Sequence, residues 1–379
     1  MKPKVMIVGP IPPPFHGCSV ATQWLLQSPL ADVYQVIHLD TSDHRNLDNL
    51  GKWDVRNILI ALTTVLRAAM LCLVQRPAVV YVPISQNTAG FVRDGLLILS
   101  GAVLARARVI VHLHGAMFLQ FYENASPPMR AFIDITMKRV HQGVVLGQAL
   151  KPHLEKWIRT DRIAVVPNGT DCDRLPSTRG PSKEALSVVF LGNHLKFKGI
   201  VDVVAIAAEA TSARTDVRFR FAGRWTDDPI CGASASEIEA ECTSIIRQSG
   251  RPESFEFLGE LDREQVCAFL GSADILMLPS YQEGLPLVLL EAMAAGIPVI
   301  TSRHVGAIDD VVVDGVTGLL VTPGDRVGLR AALESLLANG ELRTRMGQAA
   351  RERCVVEYSQ GAWAERLRLV VDSAMAVAA

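Results

Sequence analysis

The chain has 379 residues, of which 49% are hydrophobic and 20% charged, and these values predict two folded domains and exclude a disordered chain. The formal net charge is −1, and no long basic run with interleaved aromatic residues occurs, which argues against nucleic acid as a partner. The seven cysteines include no CxxC pair, which is typical of free thiols in a reducing cytoplasm rather than of a disulfide framework or a zinc–thiolate site.

The two halves of the chain differ in charge. Residues 1–170 hold 17 Lys and Arg against 10 Asp and Glu, whereas the remainder holds 21 against 29. A basic first half suits an anionic partner such as a phospholipid surface. An uneven distribution of solvent-exposed charges with no such partner explains the same numbers equally well.

Neither of the two most apolar stretches predicts a transmembrane helix. Residues 58–74 are interrupted by Arg67, and residues 96–105 are too few to span a bilayer. Lys2 leads directly into an apolar strand pattern rather than into a signal peptide. We therefore expect a cytoplasmic protein whose membrane contact, through the N-terminal domain at the inner face of the membrane, is at most peripheral.

Short β-rich runs alternate with longer helical patterns, as in parallel sheets that helices cover on both faces. In the first half the predicted strands are residues 5–8, 36–39, 79–82, 109–113, 144–146 and 164–166. In the second half they are residues 187–191, 217–221, 254–257, 274–278, 298–301 and 318–321. Each half opens with a buried strand that ends in glycine, at Gly9 and Gly192, which indicates two doubly wound, Rossmann-like α/β domains in tandem.

We predict an N-terminal Rossmann-like domain over residues 1–170, a linker over 171–185 and a C-terminal Rossmann-like domain over 186–360. The last helical pattern, residues 361–379, carries an apolar stripe through Trp363 that must pack on something, and we expect it to pack back on the N-terminal domain. If the carboxyl ends of the two sheets face each other, a ligand fits in the cleft between them.

Residues 280–296 carry the strongest chemical signal. Pro286 stands where a helix begins and Gly296 where it ends. The start of a helix at the carboxyl edge of a strand binds anions. Glu291 lies within this otherwise apolar helix, and Glu283 lies in the loop before it. A carboxylate in an apolar helix needs polar partners, and two adjacent sugar hydroxyls or neighbouring backbone groups would serve.

This segment resembles the Glu-x7-Glu signature of the retaining glycosyltransferases of family four, also called group 1, which have the GT-B fold. The resemblance is specific over about residues 255–325 and more diffuse elsewhere. It implies that Glu283 faces the donor sugar and that Glu291 binds the ribose hydroxyls of the nucleotide. It also implies that phosphate or sugar oxygens of the donor meet the backbone amides of Gly284, Leu285 and Leu287.

A second motif, residues 190–199, is a strand and a glycine turn followed by a basic loop, an arrangement that suits phosphate. The family usually has Gly-Arg early in this motif and Lys-Gly at its end. Lys198 matches and is implied to hold the leaving diphosphate, whereas Asn193 stands in place of the donor-binding Arg. Lys196 or His194 are the candidates to replace the missing cation.

Two motifs of the first half complete the resemblance. Gly17 lies in a proline-rich loop, residues 10–19, where the family often has paired glycines that face the donor diphosphate. His114 ends a predicted strand at the place of a family histidine near the donor sugar. His112 shares its face of that strand, and we expect it to lie in the core. No third ligand accompanies the two histidines, so we predict no metal site.

The resemblance implies a retaining, metal-independent glycosyltransferase with His114, Lys198 and Glu283 as its catalytic residues. It would move a sugar from a UDP- or GDP-sugar to a hydroxyl of a glycan or lipid-linked acceptor, in cell-surface polysaccharide or glycolipid synthesis, with no cofactor beyond the nucleotide sugar. Two alternatives stay open, a nucleotide-sugar epimerase of the same fold and a non-catalytic nucleotide-sugar-binding protein. A nicotinamide dehydrogenase is disfavoured because GxGxxG follows neither first strand.

Overall fold

The computed structural model describes residues 2–12, 17–28, 30–42, 55–175 and 185–376. The chain divides into two compact units, one of Met1–Gly169 together with Gln360–Ala379 and one of Thr170–Ser359. Most of the predicted linker, residues 176–184, lies outside the described part, as do residues 13–16 of the proline-rich loop.

The first unit is built on one parallel sheet of six strands in the order β2-β1-β3-β4-β5-β6. The strands are β1 (Lys4–Gly9), β2 (Gln35–Asp40), β3 (Val79–Ile84), β4 (Arg108–Leu113), β5 (Gln142–Val145) and β6 (Ile163–Val165). Its helices are α1 (Gly17–Leu26), α2 (Leu30–Val33), α3 (Val55–Gln75), α4 (Thr88–Leu99), α5 (Phe118–Asn124), α6 (Pro127–Met137), α7 (Pro152–Glu155) and, from the end of the chain, α15 (Gln360–Ala376).

Helices cover both faces of this sheet because alternate strand residues point to opposite sides. On one face Val5 and Ile7 pack in a core with Trp24 of α1 and Trp363 of α15, whose rings meet edge to face. On the other face α4 continues into a π-helical turn, Ser100–Ala105, in which Gly101 packs against Val80. The apolar stripe of the last helix thus lies on the first sheet.

The second unit repeats the plan with the strand order β12-β11-β10-β7-β8-β9, again parallel throughout. The strands are β7 (Leu186–Leu191), β8 (Val217–Ala222), β9 (Phe255–Phe257), β10 (Ile275–Leu278), β11 (Val299–Ser302) and β12 (Gly318–Val321). The helices are α8 (Ile200–Ala213), α9 (Ala235–Gln248), α10 (Arg263–Gly271), α11 (Leu287–Ala294), α12 (Ile308–Val311), α13 (Arg326–Ala338) and α14 (Gly340–Glu357).

The prediction of two doubly wound parallel sheets is therefore confirmed, and all twelve predicted strands form. Within α11 the predicted stop is also correct. Gly296 has φ +70°, and its amide and that of Ile297 bond back to carbonyls of the last turn. The predicted start is one residue early, because Pro286 caps the helix in an extended conformation and Leu287 is its first residue.

One helical stretch among the described residues, Thr88–Ala105, is by length and composition long and apolar enough to cross a membrane, with a mean hydropathy of 1.4. The sequence prediction considered only its second half, which is too short alone. In the structure 39% of the stretch is buried inside the fold. A shorter apolar helix covers Leu59–Gln75.

Candidate functional site

The strand order of the second unit reverses direction at β7. This strand lies between β10 and β8, so the loops that follow β7 and β10 leave the same edge of the sheet side by side. Ligands of open α/β sheets bind at such a switch point. The two loops are those that carry the basic motif and the Glu-x7-Glu motif of the sequence.

Backbone contacts hold these two loops together. The amide of Tyr281 donates to the carbonyl of Phe197 at 2.7 Å. Gly199, with φ +79°, starts α8 so close to the other loop that a Cβ there would lie 2.5 Å from the carbonyl oxygen of Pro279. Glycine is thus required at this position both for its conformation and for the approach of the loops.

The same two loops bring two predicted catalytic side chains together. Lys198 Nζ lies 3.3 Å from Glu283 Oε1, and the hydroxyl of Ser280 donates to the same oxygen at 3.2 Å. The side chains of Lys198 and Glu283 keep 22% and 13% of their surface exposed, so both are reachable from solvent. The result is a fixed pair of opposite charges at the switch point.

The loop that carries Glu283 leads into α11 and rests on the segment after β11. The amide of Ala307 donates to the carbonyl of Gly284 at 2.8 Å. A Cβ on Gly306, where φ is +54°, would overlap the carbonyl oxygens of Glu283 and Gly284. Leu285 is buried beneath this loop. Leu287 opens the first turn of α11, where helix amides have no partner within the helix itself.

Glu291 lies on the next turn of the same helix. Burial raises the pKa of its carboxyl above the usual range, and the nearby Arg263 opposes that shift. The charge of Glu291 is in turn one of the causes that raise the pKa of the Cys267 thiol on α10, after burial itself. Among the described residues the Glu291 carboxylate receives no hydrogen bond. A half-buried carboxylate in this state is suited to accept hydrogen bonds from a ligand.

Carboxylates that the sequence analysis missed position both loops. Asp202, in the first turn of α8, accepts from the Tyr281 hydroxyl and from Arg326 Nε, each at 2.7 Å. Burial and Asp202 raise the pKa of Tyr281 to about 12. Asp228 accepts from the amide of Phe197 at 2.9 Å and so fixes the basic loop. An isolated aspartate within the apolar run that opens α8 is the signal that would have identified Asp202.

The structure offers no substitute for the missing arginine among the candidates that we named. Lys196 Nζ pairs with Glu241 Oε2 at 2.6 Å, an interaction that raises the pKa of the lysine. His194 is 1% exposed, and burial lowers its pKa to about 4, so the ring is neutral at pH 7. Asn193 itself lies exposed on the loop.

The predicted residues of the first unit are described separately. The rings of His112 and His114 stack at 4.0 Å between centroids. His112 is fully buried and hydrogen-bonded through Nδ1 to the Tyr81 hydroxyl at 2.5 Å, as expected of a core residue. Burial lowers the pKa of His114 to about 4, against the opposing effect of its hydrogen bond with Asn168. Gly17 is the first residue of α1 rather than part of the loop before it.

Within the described ranges no group of three or more His, Cys, Asp or Glu side chains is arranged to hold a metal ion. Asp171, in the predicted linker, pairs with Arg174 and Arg263 at 3.1 and 3.4 Å.

Most of the second unit is similar in sequence to known glycosyltransferases. The model of the family described as "Glycosyl transferases group 1" matches residues 174–353. The glycogen synthase of Mycobacterium tuberculosis is 30% identical over 197 residues, which are 52% of this chain and 45% of that protein. The chain spans about half the length of the curated relatives it matches.

Solved structures resemble the whole chain. The sucrose-phosphate synthase of Thermosynechococcus elongatus has a TM-score of 0.74 at 20% identity, with 100% of both chains covered. The Anabaena protein Alr3699/HepE, in complex with UDP and glucose, has a TM-score of 0.73 at 16% identity and covers 97% of this chain and 99% of its own. At these identities the likeness establishes the fold. Together, these comparisons show that residues 174–353 match the family of glycosyl transferases group 1 and that the chain, with its two doubly wound sheets, has the GT-B fold.

Proposed function

We propose that this chain transfers a sugar from a nucleotide-sugar donor to a hydroxyl group. The observation that carries the proposal is the ion pair of Lys198 and Glu283 at the switch point of the second sheet. A cation beside the start of a helix is suited to a diphosphate, and a carboxylate next to it is suited to the hydroxyls of the attached sugar.

The proposed donor is a UDP- or GDP-sugar. A structural relative of the same fold holds UDP and glucose, which makes UDP the first nucleotide to test. In our assignment Glu291 accepts hydrogen bonds from the ribose hydroxyls, because its desolvated carboxylate needs donors that the described residues do not supply. The amides of Gly284, Leu285 and Leu287 contribute the remaining contacts of the donor-binding loop, and Asn193 contributes a neutral contact where the family has a cation.

The proposed reaction is retaining and needs no metal ion. The acceptor oxygen attacks the anomeric carbon on the face from which the diphosphate leaves, and the acceptor proton passes to a diphosphate oxygen. Lys198 stabilises the charge that develops on the leaving group, which is the largest contribution a protein makes to such a step. Neutral His114 in the first unit accepts or donates a hydrogen bond at a sugar hydroxyl, and the Gly17 end of α1 faces the phosphates.

The proposed acceptor is a glycan or a lipid-linked sugar, and the proposed location is the cytoplasm. Both follow from the family resemblance and from the basic first half of the sequence, where cations exceed anions by 17 to 10.

The first experiment compares Lys198→Met with Lys196→Met, two lysines of one short helical turn. Thermal-shift screening of UDP, GDP and ADP identifies the nucleotide, since a ligand of the native state raises Tm by mass action. With the matching nucleotide sugar, Lys198→Met should lower kcat by about 100-fold or more because leaving-group stabilisation is lost. Lys196→Met should lose less than about threefold, since its charge is already paired on an exposed surface.

Three outcomes would contradict the proposal. Equal rates for the two lysine variants would remove Lys198 from the reaction. Nucleotide binding without turnover of any donor, measured as nucleotide release with and without added acceptor, would make the chain a binding protein. Formation of an epimeric sugar from the donor alone would make it an epimerase.

A further inference from the structure

The long helix α3 of the first unit has an apolar face turned to solvent. Its opposite side is in the core, where Ala68 and Cys72 are fully buried. The exposed residues recur at helical spacing along the whole described length. They are Leu59, Leu62, Leu66, Met70, Leu73 and Val74, with 53–70% of each residue exposed. A one-sided stripe of this kind normally faces a protein core, so α3 has a second apolar face that no described residue covers.

The stripe continues onto α4 and its π-helical turn, which pack beside α3, and α6 packs in turn on α4. These add the exposed side chains Val92, Leu96, Val103, Leu104 and Ile135. We refer to these five residues and the six of α3 as the apolar patch. Scattered single hydrophobic residues are ordinary on protein surfaces, whereas a contiguous group of this size marks an interaction site.

The long apolar stretch Thr88–Ala105 packs on the rest of the first unit along one side, which buries 39% of it. Phe91, Leu97 and Ile98 are fully buried, and the ring of Phe91 packs against aromatic rings of α5 and α6. A Cβ on Gly95 would lie 2.6 Å from the Phe132 ring of α6, which shows how closely the two helices pack. Only one edge of the stretch, with Val92, Leu96, Val103 and Leu104, is open. This geometry suits a surface that lies flat in a membrane interface.

The charges around the apolar patch identify its partner. From residue 55 to residue 122 the sequence has six arginines and a single carboxylate, Asp94. Asp94 is 1% exposed and is paired with Arg93 at 2.7 Å, so it contributes no free negative charge. Arg67, Arg76 and Arg106 are exposed. Exposed cations with an apolar surface between them are the pattern of a protein that binds anionic lipid.

The helix α6, which carries Ile135 of the apolar patch, also has exposed positive charges. On and just after α6 these are Arg130, Lys138 and Arg139. Asp134 on the same helix is occupied by hydrogen bonds from Trp157 and Tyr122. Among the described residues, Glu123 at the end of α5 is an exposed carboxylate.

We propose that the apolar patch docks the first unit flat on an anionic phospholipid bilayer, with Leu62, Leu66 and Met70 entering the acyl boundary and Arg67 and Arg76 meeting phosphate groups. A second copy of the chain is a poorer occupant, because a two-fold contact through this face would oppose its own uncompensated arginines. The inference concerns the first unit alone and does not depend on the reaction proposed for the second.

The test is co-sedimentation of the full chain with vesicles of phosphatidylcholine, with and without phosphatidylglycerol. The variant Leu62→Glu/Leu66→Glu/Met70→Glu places three carboxylates in the middle of the patch. Its control is Val327→Glu/Val356→Glu, two valines of the second unit that are 78% and 74% exposed. All five positions are exposed, so both variants should fold, which circular dichroism and cooperative urea unfolding check independently of any ligand.

We expect the unmodified chain to bind the anionic vesicles, and salt to weaken this binding. The triple variant should bind at least about tenfold more weakly, because three side chains leave the interface and three anions are repelled. The control should bind as the unmodified chain does. Absence of binding by the unmodified chain, or equal binding by the triple variant, overturns the proposal. A dimer in sedimentation velocity that the triple variant dissociates would also overturn it, in favour of a second copy.

Discussion

His194 lies in an enclosure of aromatic rings at the edge of the second sheet. The rings of Trp225, Phe257 and Phe190 lie 4.4, 5.6 and 6.0 Å from it, between centroids. Neither ring nitrogen has a hydrogen-bond partner among the described residues, and burial lowers the pKa of the imidazole to about 4. The ring therefore serves as a flat apolar wall, although a histidine in a basic loop suggests a phosphate ligand.

The substitution His194→Phe tests whether the imidazole ring serves only as a neutral packing group. A histidine whose folded pKa lies below its unfolded value of 6.5 stabilises the fold above that pH, and the contribution is lost as pH falls from 6.5 to about 4. The loss amounts to about 3 kcal/mol at most. His194→Phe should leave the free energy of unfolding at pH 7 unchanged and reduce its decrease between pH 7 and pH 4. Urea unfolding at several pH values measures both.

His304→Asn is the matched control, because this histidine is 82% exposed and asparagine tolerates its positive φ. Its pH profile of stability should follow that of the unmodified chain. An acid slope that stays unchanged in His194→Phe would show that His194 does not titrate as we argue. The remaining decline in that variant belongs to other groups with lowered pKa values, among them His112, His114 and His153, whose pKa burial lowers, and Asp228, whose pKa backbone amides lower against the effect of burial.

Among elements, the loop from Ser280 to Pro286 depends on the segment that supports it. Gly306 lies beneath the loop with φ +54°, and any side chain there would meet the carbonyls of Glu283 and Gly284. Gly315 has a similar φ of +74°, but nothing lies within 4 Å of its Cβ position. An alanine at Gly315 has only the unfavourable positive φ, whereas an alanine at Gly306 also collides with the loop. Comparing the two substitutions therefore isolates the steric effect on the loop.

We expect Gly306→Ala to displace the loop and to weaken nucleotide binding by about tenfold or more, since Glu283 and the start of α11 move with it. Gly315→Ala should cost about 1 kcal/mol of stability, from its positive φ, with nucleotide affinity unchanged. Isothermal titration with the nucleotide found by screening measures both. Equal affinities for the two variants would mean that the loop does not carry the donor site.

The strands could be predicted from the sequence because buried parallel strands are continuous β-branched runs, and every one of the twelve formed. The limits of α11 could be predicted to within one residue from Pro286 and Gly296. The supporting carboxylates could not be, because Asp202 meets Tyr281 and Asp228 meets Phe197 only through the register of strands and helices far apart in the chain. Nor does the local sequence reveal that Lys196, a candidate to replace the missing arginine, pairs with Glu241.

For the molecule as a whole, α15 is the element on which the first unit depends. Trp363 is 1% exposed and meets Trp24 edge to face at 6.3 Å. Trp363→Ala should destabilise the first unit by about 3–5 kcal/mol, through lost burial and a cavity. Leu369→Ala, on the same helix but 53% exposed, should stay within about 1 kcal/mol of the unmodified chain. Urea unfolding followed by tryptophan fluorescence distinguishes them, and equal midpoints would mean that α15 is dispensable for the first sheet.

The return of α15 to the first sheet sets an order of assembly during synthesis. Residues 170–359 form one uninterrupted unit, so all of its strands and helices are available before the last helix is made. The sheet made first must wait, with its Val5 and Ile7 face covered only in part by α1, until Trp363 has left the ribosome. The first unit, although it is synthesised first, thus completes its fold last. Ribosome-bound intermediates should expose the part of the first sheet that α15 later covers, and chaperones could bind there.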